Sequence, residues 1–410
     1  MKRLSLATIA AFTSAITLAQ ADCSQTSVGF TPIMDLGTGT FNGWEGGLYA
    51  NGSNALPQAH AAAGAAIANS VVPLDANGNP DPVNGKIVWL SIGMSNTNQE
   101  SNAFINLVET TPGINPSLVM VNGGVGGKTA EEISTPTDPE YSIFWNTVAT
   151  RLTNASVTAQ QVQAIWFKVG NRGVVPEQQY YDSLLVQSKR IMHELDDRFP
   201  NARLCYVAGR SYGGYAAGLT NPEPYAYWTG WAMKHLIEAQ INGDPLLVFD
   251  GPDPVSPWMM WGLYLWADGV VPRSDGLFWE CSDYHQGDGL HPSDQGEAKV
   301  AALLLDFFSN DPTTCPWFMA ACETALPEQS DAASWIAPNP SNGVFRISLP
   351  GAAKPVQISV FDALGHTVIE SSSSGNGGFN IDLTGHAPGI YLVKIVHGAE
   401  VSFSRFALER

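Results

Sequence analysis

The chain has 410 residues, of which 44% are hydrophobic and 14% charged, so it is long enough for two or three domains with buried cores. Asp and Glu outnumber Lys and Arg 38 to 20, which gives a formal net charge of −18. A field of this sign repels a phosphate backbone and an anionic membrane surface, so the composition argues against a nucleic-acid partner.

The first 21 residues have the composition of an export signal. Lys2 and Arg3 precede an apolar stretch over residues 4–18, and residues 19–21 (Ala-Gln-Ala) offer the small side chains that a signal peptidase needs. The apolar stretch is short for a membrane span, and no later stretch is long enough to cross a bilayer. We therefore expect a signal peptide over residues 1–21 and an exported chain with no transmembrane segment.

Residues 22–310 alternate between short apolar runs and helical patterns. The apolar runs are typical of strands buried on both faces of a parallel sheet. They lie at residues 87–90, 118–121, 164–167, 203–207 and 246–249. An Ala-rich stretch predicts a helix at residues 58–70, and helical patterns, clearest in the 3.6-residue period of residues 180–199, predict others at residues 180–199, 224–241 and 293–308. This alternation implies right-handed crossovers, so we expect a doubly wound α/β domain, a three-layer sandwich around a central parallel sheet.

The chain changes character after residue 310. We expect residues 311–334 to form a linker and residues 335–410 to form a second domain. Short runs of alternating polarity in this tail are separated by Gly- and Asn-rich turns, at residues 344–347, 356–361, 379–383 and 391–396. Several short strands at this spacing predict a small all-β, immunoglobulin-like sandwich.

The cysteine content fits an oxidising compartment. Five cysteines are present: Cys23, Cys205, Cys281, Cys315 and Cys322. Two disulfides with one cysteine left over can be drawn in about fifteen ways. Cys315 with Cys322 is the most local choice, and Cys205 with Cys281 would tie a strand end to a later loop. No CxxC pair is present, which argues against a zinc site.

Four segments that follow strands or precede the last helix carry residues suited to acyl transfer. They are Gly93-Met94-Ser95-Asn96, NGGVGGKT at residues 122–129, Gly170-Asn171, and DGLHPS at residues 288–293. In a parallel sheet, ligands bind at the carboxyl ends of the strands. A serine becomes an effective nucleophile when an imidazole takes its proton and a carboxylate orients that imidazole. We therefore predict Ser95 as nucleophile, His291 as general base and then acid, and Asp288 as the orienting carboxylate.

The same segments offer hydrogen-bond donors for an oxyanion. Glycines allow bare backbone N–H groups to approach a ligand, and a carboxamide donates in a similar way. We expect the backbone N–H groups of Ser95 and Gly127 and the side chain of Asn171 to form an oxyanion hole. Taken singly, Ser95 suits a helix N-cap, Gly127 a turn and Asn171 a strand end. Their combination favours catalysis.

In this order, over residues 86–308, the four motifs resemble the blocks of the SGNH or GDSL-like hydrolases. The DGLHPS run matches closely, whereas Met94 stands where the family has aspartate, and Arg172 follows Asn171 where an aspartate is common. The resemblance implies a flavodoxin-like fold and a serine ester hydrolase that forms an acyl-serine intermediate, without a metal ion or an organic cofactor. Export and aromatic content suggest O-acyl groups, such as acetyl, on a polysaccharide as the substrate.

Three motifs in the tail resemble a type A sorting domain of the type IX secretion system. They are APNPSNG at residues 337–343, VFDALG at residues 360–365 and GIYLV at residues 389–393. The resemblance implies that residues 335–410 engage the secretion machinery and that the chain is secreted by, or displayed on, a Gram-negative cell. An accessory binding module is the alternative for this tail.

Two other functions remain open. The GRSYG sequence at residues 209–213 fits the Gly-x-Ser-x-Gly elbow of α/β-hydrolases, which would make Ser211 the nucleophile. A non-catalytic glycan-binding protein on the SGNH scaffold is the second alternative. The candidates for substrate binding are Asn96, Arg210, Tyr212, Trp258 and Trp261. The flat rings of the two tryptophans would suit sugar faces; the alternative for them is a loop that packs its rings in the core.

Overall fold

The computed structural model describes residues 20–173, 175–218, 222–322, 336–337, 339–347, 356–362, 367–373, 379–397 and 400–409. All but the last two residues of the expected signal peptide lie outside these ranges. The chain forms two compact units, residues 1–322 and 323–410. Residues 311–322, which the sequence suggested as linker, belong to the first unit, where Trp317 and Phe318 are fully buried.

The first unit contains the parallel sheet and its helices. In chain order its elements are α1 (Ile33–Leu36), β1 (Thr40–Phe41), β2 (Trp44–Glu45), α2 (Gln58–Ser70), β3 (Ile87–Gly93), α3 (Ser95–Glu109), β4 (Leu118–Asn122), α4 (Ala130–Ser134), α5 (Pro139–Asn154), β5 (Val162–Lys168), α6 (Glu177–Arg198), β6 (Leu204–Ala208), α7 (Tyr225–Ile241), β7 (Trp258–Leu263), α8 (Asp294–Asn310) and α9 (Cys315–Phe318). Among the described residues, no helix is both long enough and apolar enough to cross a membrane.

The sheet has the doubly wound topology that the sequence predicts. Its strands are all parallel, in the order β4-β3-β5-β6-β7, and every residue of β3, β5 and β6 is buried. The chain first moves outward from β3 to β4 and then returns to β5 on the other side. Right-handed crossovers therefore place α3 and α6 on opposite faces, which confirms the three-layer α/β fold. This reversal opens a crevice at the carboxyl ends of β3 and β5, where doubly wound folds bind ligands.

The fifth strand is not where the sequence suggested. Residues 246–249 form no strand and lie in an irregular loop, in which the carbonyl of Val248 accepts the N–H groups of Val255 and Ser256. The fifth strand is instead β7, in a segment where the sequence predicted no strand, and it pairs with β6. Gln240 on α7 accepts the N–H of Met259 at 2.7 Å and so ties the start of β7 to the helix. Both segments are short and apolar, so only the tertiary pairing distinguishes them.

One of the two disulfides considered from sequence is formed. Cys315 pairs with Cys322, with the Cα atoms 5.3 Å apart. The pairing of Cys205 with Cys281 was wrong: Cys281 bonds Cys23, 258 residues earlier, and Cys205 is a buried free thiol inside β6. Complete burial raises the pKa of the Cys205 thiol far above its ordinary value, which keeps the thiol protonated.

The second unit consists of two antiparallel sheets. Its described strands are β8 (Ile336–Ala337), β9 (Val344–Ile347), β10 (Val356–Phe361), β11 (Thr367–Ser373), β12 (Phe379–Asp382), β13 (Gly389–His397) and β14 (Glu400–Leu408). One sheet has the order β11-β10-β13-β14 and the other β12-β9-β8. The ring of Phe345 from one sheet stacks on that of Phe406 from the other at 3.8 Å between centroids, so the sheets share one core. This agrees with the predicted β-sandwich.

Candidate active site

Ser95 is the first residue of α3, directly beyond β3. A Cβ on Gly93 would come within 2.0 Å of the Lys168 carbonyl oxygen and 2.3 Å of Thr97 Oγ1, so the turn from strand to helix requires glycine there. Met94 occupies the N-cap position, and the Ser95 hydroxyl therefore does not have the capping role that its residue type would suit. The half-buried Ser95 side chain is left to bond groups outside α3.

Ser95, His291 and Asp288 form one hydrogen-bonded chain. Nε2 of His291 lies 2.8 Å from Ser95 Oγ, and its Nδ1 lies 2.7 Å from Asp288 Oδ2. A carboxylate can only accept, so Nδ1 carries the proton and Nε2 accepts the serine O–H. This is the tautomer that a general base beside a serine requires.

A tight loop before α8 holds the carboxylate and the imidazole together. Oδ1 of Asp288 accepts the backbone N–H groups of Leu290 and His291 at 2.8 and 3.0 Å. Gly289 has a φ of +64°, and a Cβ there would lie 1.9 Å from the Tyr215 carbonyl oxygen. Partial burial alone would raise the pKa of Asp288, but the hydrogen bonds from the His291 ring and the two N–H groups hold it below its ordinary value. Asp288 is therefore kept as an anion facing the imidazole.

The glycine loop after β4 passes beside Ser95. A Cβ on Gly126 would lie 3.9 Å from the Cβ of Ser95, and Gly127 has a φ of +77° with open space where its side chain would be. Within the described ranges, the N–H groups of Gly126 and Gly127 have no protein acceptor. The N–H of Ser95 stands in the first turn of α3, where no intrahelical acceptor exists. These donors are free for a ligand, and Gly126 is one that sequence reasoning did not single out.

Asn171 follows β5 at the other side of the crevice. Its Oδ1 accepts the backbone N–H of Glu131 at 3.2 Å, and its Nδ2 donates to Gln187 Oε1 at 2.5 Å. The two bonds fix the orientation of the carboxamide and leave one Nδ2 hydrogen for another acceptor. The side chain is 9% exposed.

A buried ion pair links α3, which carries Ser95, to the end of β5. Lys168 Nζ contacts both carboxylate oxygens of Glu100 at 2.5 and 2.6 Å, and both side chains are 1% exposed. Thr97 Oγ1 also donates to the carbonyl of Lys168 at 2.6 Å. The end of β5 is therefore joined to the first two turns of α3, which carries Ser95.

Three of the residues expected to contact substrate lie in the core instead. The Trp258 ring is fully buried, stacks on His60 and donates its Nε1–H to the His60 carbonyl at 3.1 Å. Trp261 is 4% exposed and donates to the Leu48 carbonyl. Tyr212 is 1% exposed. Their faces are covered by other side chains, so they offer no surface on which a sugar could stack.

The remaining two expected substrate contacts, Asn96 and Arg210, are 1% and 3% exposed. They lie beside Ser95 but are enclosed by protein: Arg210 Nη1 is 3.4 Å from Asn96 Oδ1. Their environment is that of supporting side chains and not of a substrate surface.

Ser211 lacks the surroundings of a nucleophile. It is 6% exposed, and in the part of the chain that the structure describes no histidine is hydrogen bonded to its hydroxyl. A nucleophile elbow leads from a strand directly into a helix. Here β6 ends at Ala208 and α7 begins only at Tyr225.

Glu223 anchors the loop segment that follows Ser211. Its Oε1 accepts the Gly213 N–H at 2.8 Å and the Nε1–H of the buried Trp266 at 2.7 Å, and its Oε2 accepts the Tyr227 N–H at 3.2 Å. Burial of the carboxylate raises the pKa of Glu223 to about 7, and the three hydrogen bonds offset this only in part.

This raised pKa predicts a pH-dependent contribution to stability. Between the ordinary pKa of 4.5 and about 7, the folded chain keeps a proton on Glu223 that the unfolded chain has lost, so the free energy of unfolding falls as pH rises through this window. The difference between these two pKa values corresponds to a loss of about 3 kcal/mol. Glu223→Gln cannot ionise, so the difference between wild type and variant in urea unfolding should change between about pH 5 and about pH 8. A constant difference would contradict the prediction.

No group of three or more His, Cys, Asp or Glu side chains that could hold a metal ion occurs among the described residues. The groups that converge at this crevice are a serine hydroxyl, an imidazole, a carboxylate and unpaired N–H donors. Such a set can move a proton and stabilise a negatively charged oxygen.

The C-terminal part of the chain matches a family model. Residues 335–409 match the secretion system C-terminal sorting domain, which confirms the interpretation of the tail. The chain is therefore secreted or presented at the surface of a Gram-negative cell, and its C-terminal unit is the part that the secretion machinery recognises. No curated protein matches the chain.

Two solved structures show limited similarity. One is a carbohydrate esterase of family 3 from Talaromyces cellulolyticus, which is 12% identical and superposes with a TM-score of 0.32. The alignment spans 53% of this chain and 94% of the esterase chain. Another is a gut microbial diltiazem-metabolizing enzyme, which is 14% identical and gives a TM-score of 0.34. That alignment spans 76% of this chain and 74% of the enzyme's chain. At these scores the similarity carries no information about what this chain does.

Proposed function

We propose that the chain is a secreted serine ester hydrolase of the SGNH type that acts through an acyl-serine intermediate. The observation that carries the proposal is the continuous hydrogen-bonded chain from Asp288 through His291 to Ser95. It lies at the carboxyl ends of β3 and β5, between which the strand order of the parallel sheet changes direction. In this proposal, residues 1–21 are removed on export, residues 22–322 form the hydrolase and residues 335–410 direct type IX secretion.

In the first half of the reaction, Ser95 Oγ attacks the ester carbonyl carbon while His291 Nε2 takes the hydroxyl proton. The resulting oxyanion lies against the N–H groups of Ser95 and Gly127 and the amide of Asn171; each such donor lowers the barrier by about 2.7–4 kcal/mol. Collapse of the intermediate breaks the bond to the alcohol oxygen, which leaves with the proton from Nε2. Asp288 keeps the imidazolium oriented throughout.

In the second half, water attacks the acyl-serine. His291 takes a proton from the water and returns it to Ser95 Oγ, so the carboxylic acid is released and the enzyme regenerated. The substrate class we propose is an O-acylated, for example O-acetylated, extracellular polysaccharide. Secretion to the cell exterior, where such polymers occur, supports this choice.

Covalent labelling tests the proposed nucleophile directly. A fluorophosphonate reacts with a serine activated by an imidazole, so peptide mass spectrometry of the labelled, mature chain should place one adduct on Ser95. The matched variant Ser211→Ala should be labelled at the wild-type rate. The wild type should also hydrolyse p-nitrophenyl acetate and release acetate from acetylated glycans.

Three results would overturn the proposal in different ways. An adduct on Ser211 would favour the α/β-hydrolase alternative. Glycan binding without an adduct and without hydrolysis would favour a non-catalytic binding protein. Hydrolysis that persists in Ser95→Ala would move the chemistry to another residue.

A further inference from the structure

Asn96 joins the two segments that carry the proposed nucleophile and base. It directly follows Ser95 in α3, and its Nδ2 donates to the carbonyl of Leu290 at 3.0 Å; Leu290 directly precedes His291. The bond is buried and spans 194 residues of sequence. The Asn96 side chain therefore links the start of α3, next to Ser95, to the backbone of Leu290, next to His291.

Arg210 determines which end of this carboxamide faces Leu290. Its Nη1 points at Asn96 Oδ1, 3.4 Å away, and at the Sδ of Met94, 3.6 Å away. A thioether is a weak acceptor, so the amide oxygen is the stronger partner for the guanidinium. With the oxygen turned to Arg210, the Nδ2 hydrogens of Asn96 are directed at Leu290.

The surroundings of Arg210 are unusual for a charged side chain. It is 3% exposed, and in the described chain its Nε has no hydrogen-bond partner. Burial lowers the pKa of Arg210, and the charge of Glu100 acts against that effect. A buried cation with so few acceptors lowers the stability of the fold. Its presence therefore points to a role other than stabilisation. Its contacts are with the residues on either side of Ser95.

We infer that Asn96 and Arg210 are positioning residues: Asn96 holds Ser95 Oγ and His291 Nε2 at bonding distance, and Arg210 fixes the orientation of the Asn96 amide. This inference rests on the proposed function. Proton transfer requires the serine oxygen and the imidazole nitrogen within about 2.6–3.2 Å, and a misplacement of about 1 Å can lower the rate about 10²-fold. Neither side chain touches the reacting atoms.

Two substitutions at Asn96 separate the two ends of its amide. Asn96→Ala removes both bonds and should lower kcat about 10²-fold while KM changes less than about twofold. Asn96→Asp has the same shape and offers Arg210 a stronger acceptor, but it loses the donor to the Leu290 carbonyl, so kcat should fall as far as in Asn96→Ala. The control is Asn106→Ala, an exposed position on the same helix, which should keep the wild-type kcat.

A double variant tests whether Arg210 acts through Asn96. Arg210→Lys keeps the charge but loses the planar fork, and we expect kcat to fall about 10-fold. Combined with Asn96→Ala, it should lower kcat no further than Asn96→Ala alone, because both changes break the same connection. The rate of fluorophosphonate labelling of Ser95 should fall in the same proportion as kcat, since labelling depends on the serine–imidazole geometry and not on substrate binding.

The outcomes distinguish failure of this inference from failure of the proposed function. A wild type that is neither labelled nor active would overturn both. A labelled, active wild type with unchanged kcat in Asn96→Ala and Asn96→Asp would overturn the positioning role alone. A raised KM at constant kcat would make Asn96 a substrate contact, which also contradicts positioning. If Asn96→Ala does not fold, Asn96→Asp decides by the same criteria.

Discussion

Alanine at Ser95 or at His291 is expected to lower kcat for ester hydrolysis by about 10⁶-fold. The hydroxyl and the imidazole act as one unit across their 2.8 Å hydrogen bond, so either loss stops the formation of the acyl-serine. For the same reason, the double variant should be no slower than either single variant. Steady-state kinetics with p-nitrophenyl acetate measures the loss. A double variant whose defect is the product of the two single defects would show that the residues act independently.

Asp288→Asn should lower kcat about 10⁴-fold without changing the shape of the loop. An amide nitrogen facing His291 donates a hydrogen bond to Nδ1, which favours the tautomer with the ring proton on Nε2. In that tautomer Nε2 can no longer accept the hydroxyl proton of Ser95. Asp294→Asn, the same chemical change at an exposed position in α8, is the matched control. Equal kcat values for these two variants would contradict the orienting role of Asp288.

A large effect on stability is expected at the buried ion pair between Glu100 and Lys168. Glu100→Gln or Lys168→Met should lower the free energy of unfolding by about 3–5 kcal/mol, because each leaves a partner buried without its counter-charge. Burial already lowers the pKa of Lys168, and the Glu100 carboxylate is what favours its charged form. The double variant Glu100→Leu/Lys168→Met leaves neither member of the pair facing a missing counter-charge, so we expect it to be less destabilised than either single variant.

Urea unfolding followed by tryptophan fluorescence measures this effect. Of the 12 tryptophans, all except Trp335 precede residue 322, so the signal reports on the first unit. Glu194→Gln at the partly exposed pair with Arg198 on α6 is the control and should change stability by less than about 1 kcal/mol. Destabilisation of similar size at Glu100 and Glu194 would mean that burial does not set the cost.

The sequence predicted the secondary structure best where local signals are strong. The helices α2, α6, α7 and α8 and the strands β3, β5 and β6 lie within a few residues of their expected positions, because periodicity and terminal residues act over a few residues. Helix α5 was missed, although Asp138 at its N-cap followed by Pro139 is a visible start signal. The strand β7 was misplaced because two apolar segments competed for one position.

The sequence also indicated which residue types stand at the strand ends, but not how the site is built around them. Motif spacing could select Ser95, Asp288 and His291 as candidates. It could not predict that Gly126 lies beside the serine or that the candidate tryptophans are enclosed in the core. Exposure depends on neighbours contributed by distant segments, and a single sequence does not record them.

The amino-acid sequence by itself determined the α/β class of the first unit, the β-sandwich of the second and the sorting domain in the tail, and it supplied the candidate residues for acyl transfer. Each of these follows from patterns a few residues long, which reflect backbone preferences and periodic burial. Only the tertiary structure decided the partner of Cys281, the position of β7 and the bond from Asn96 to Leu290. These contacts join segments far apart in the chain. The bond from Asn96 to Leu290 lies beyond the carboxyl end of β3, where doubly wound folds bring distant loops together.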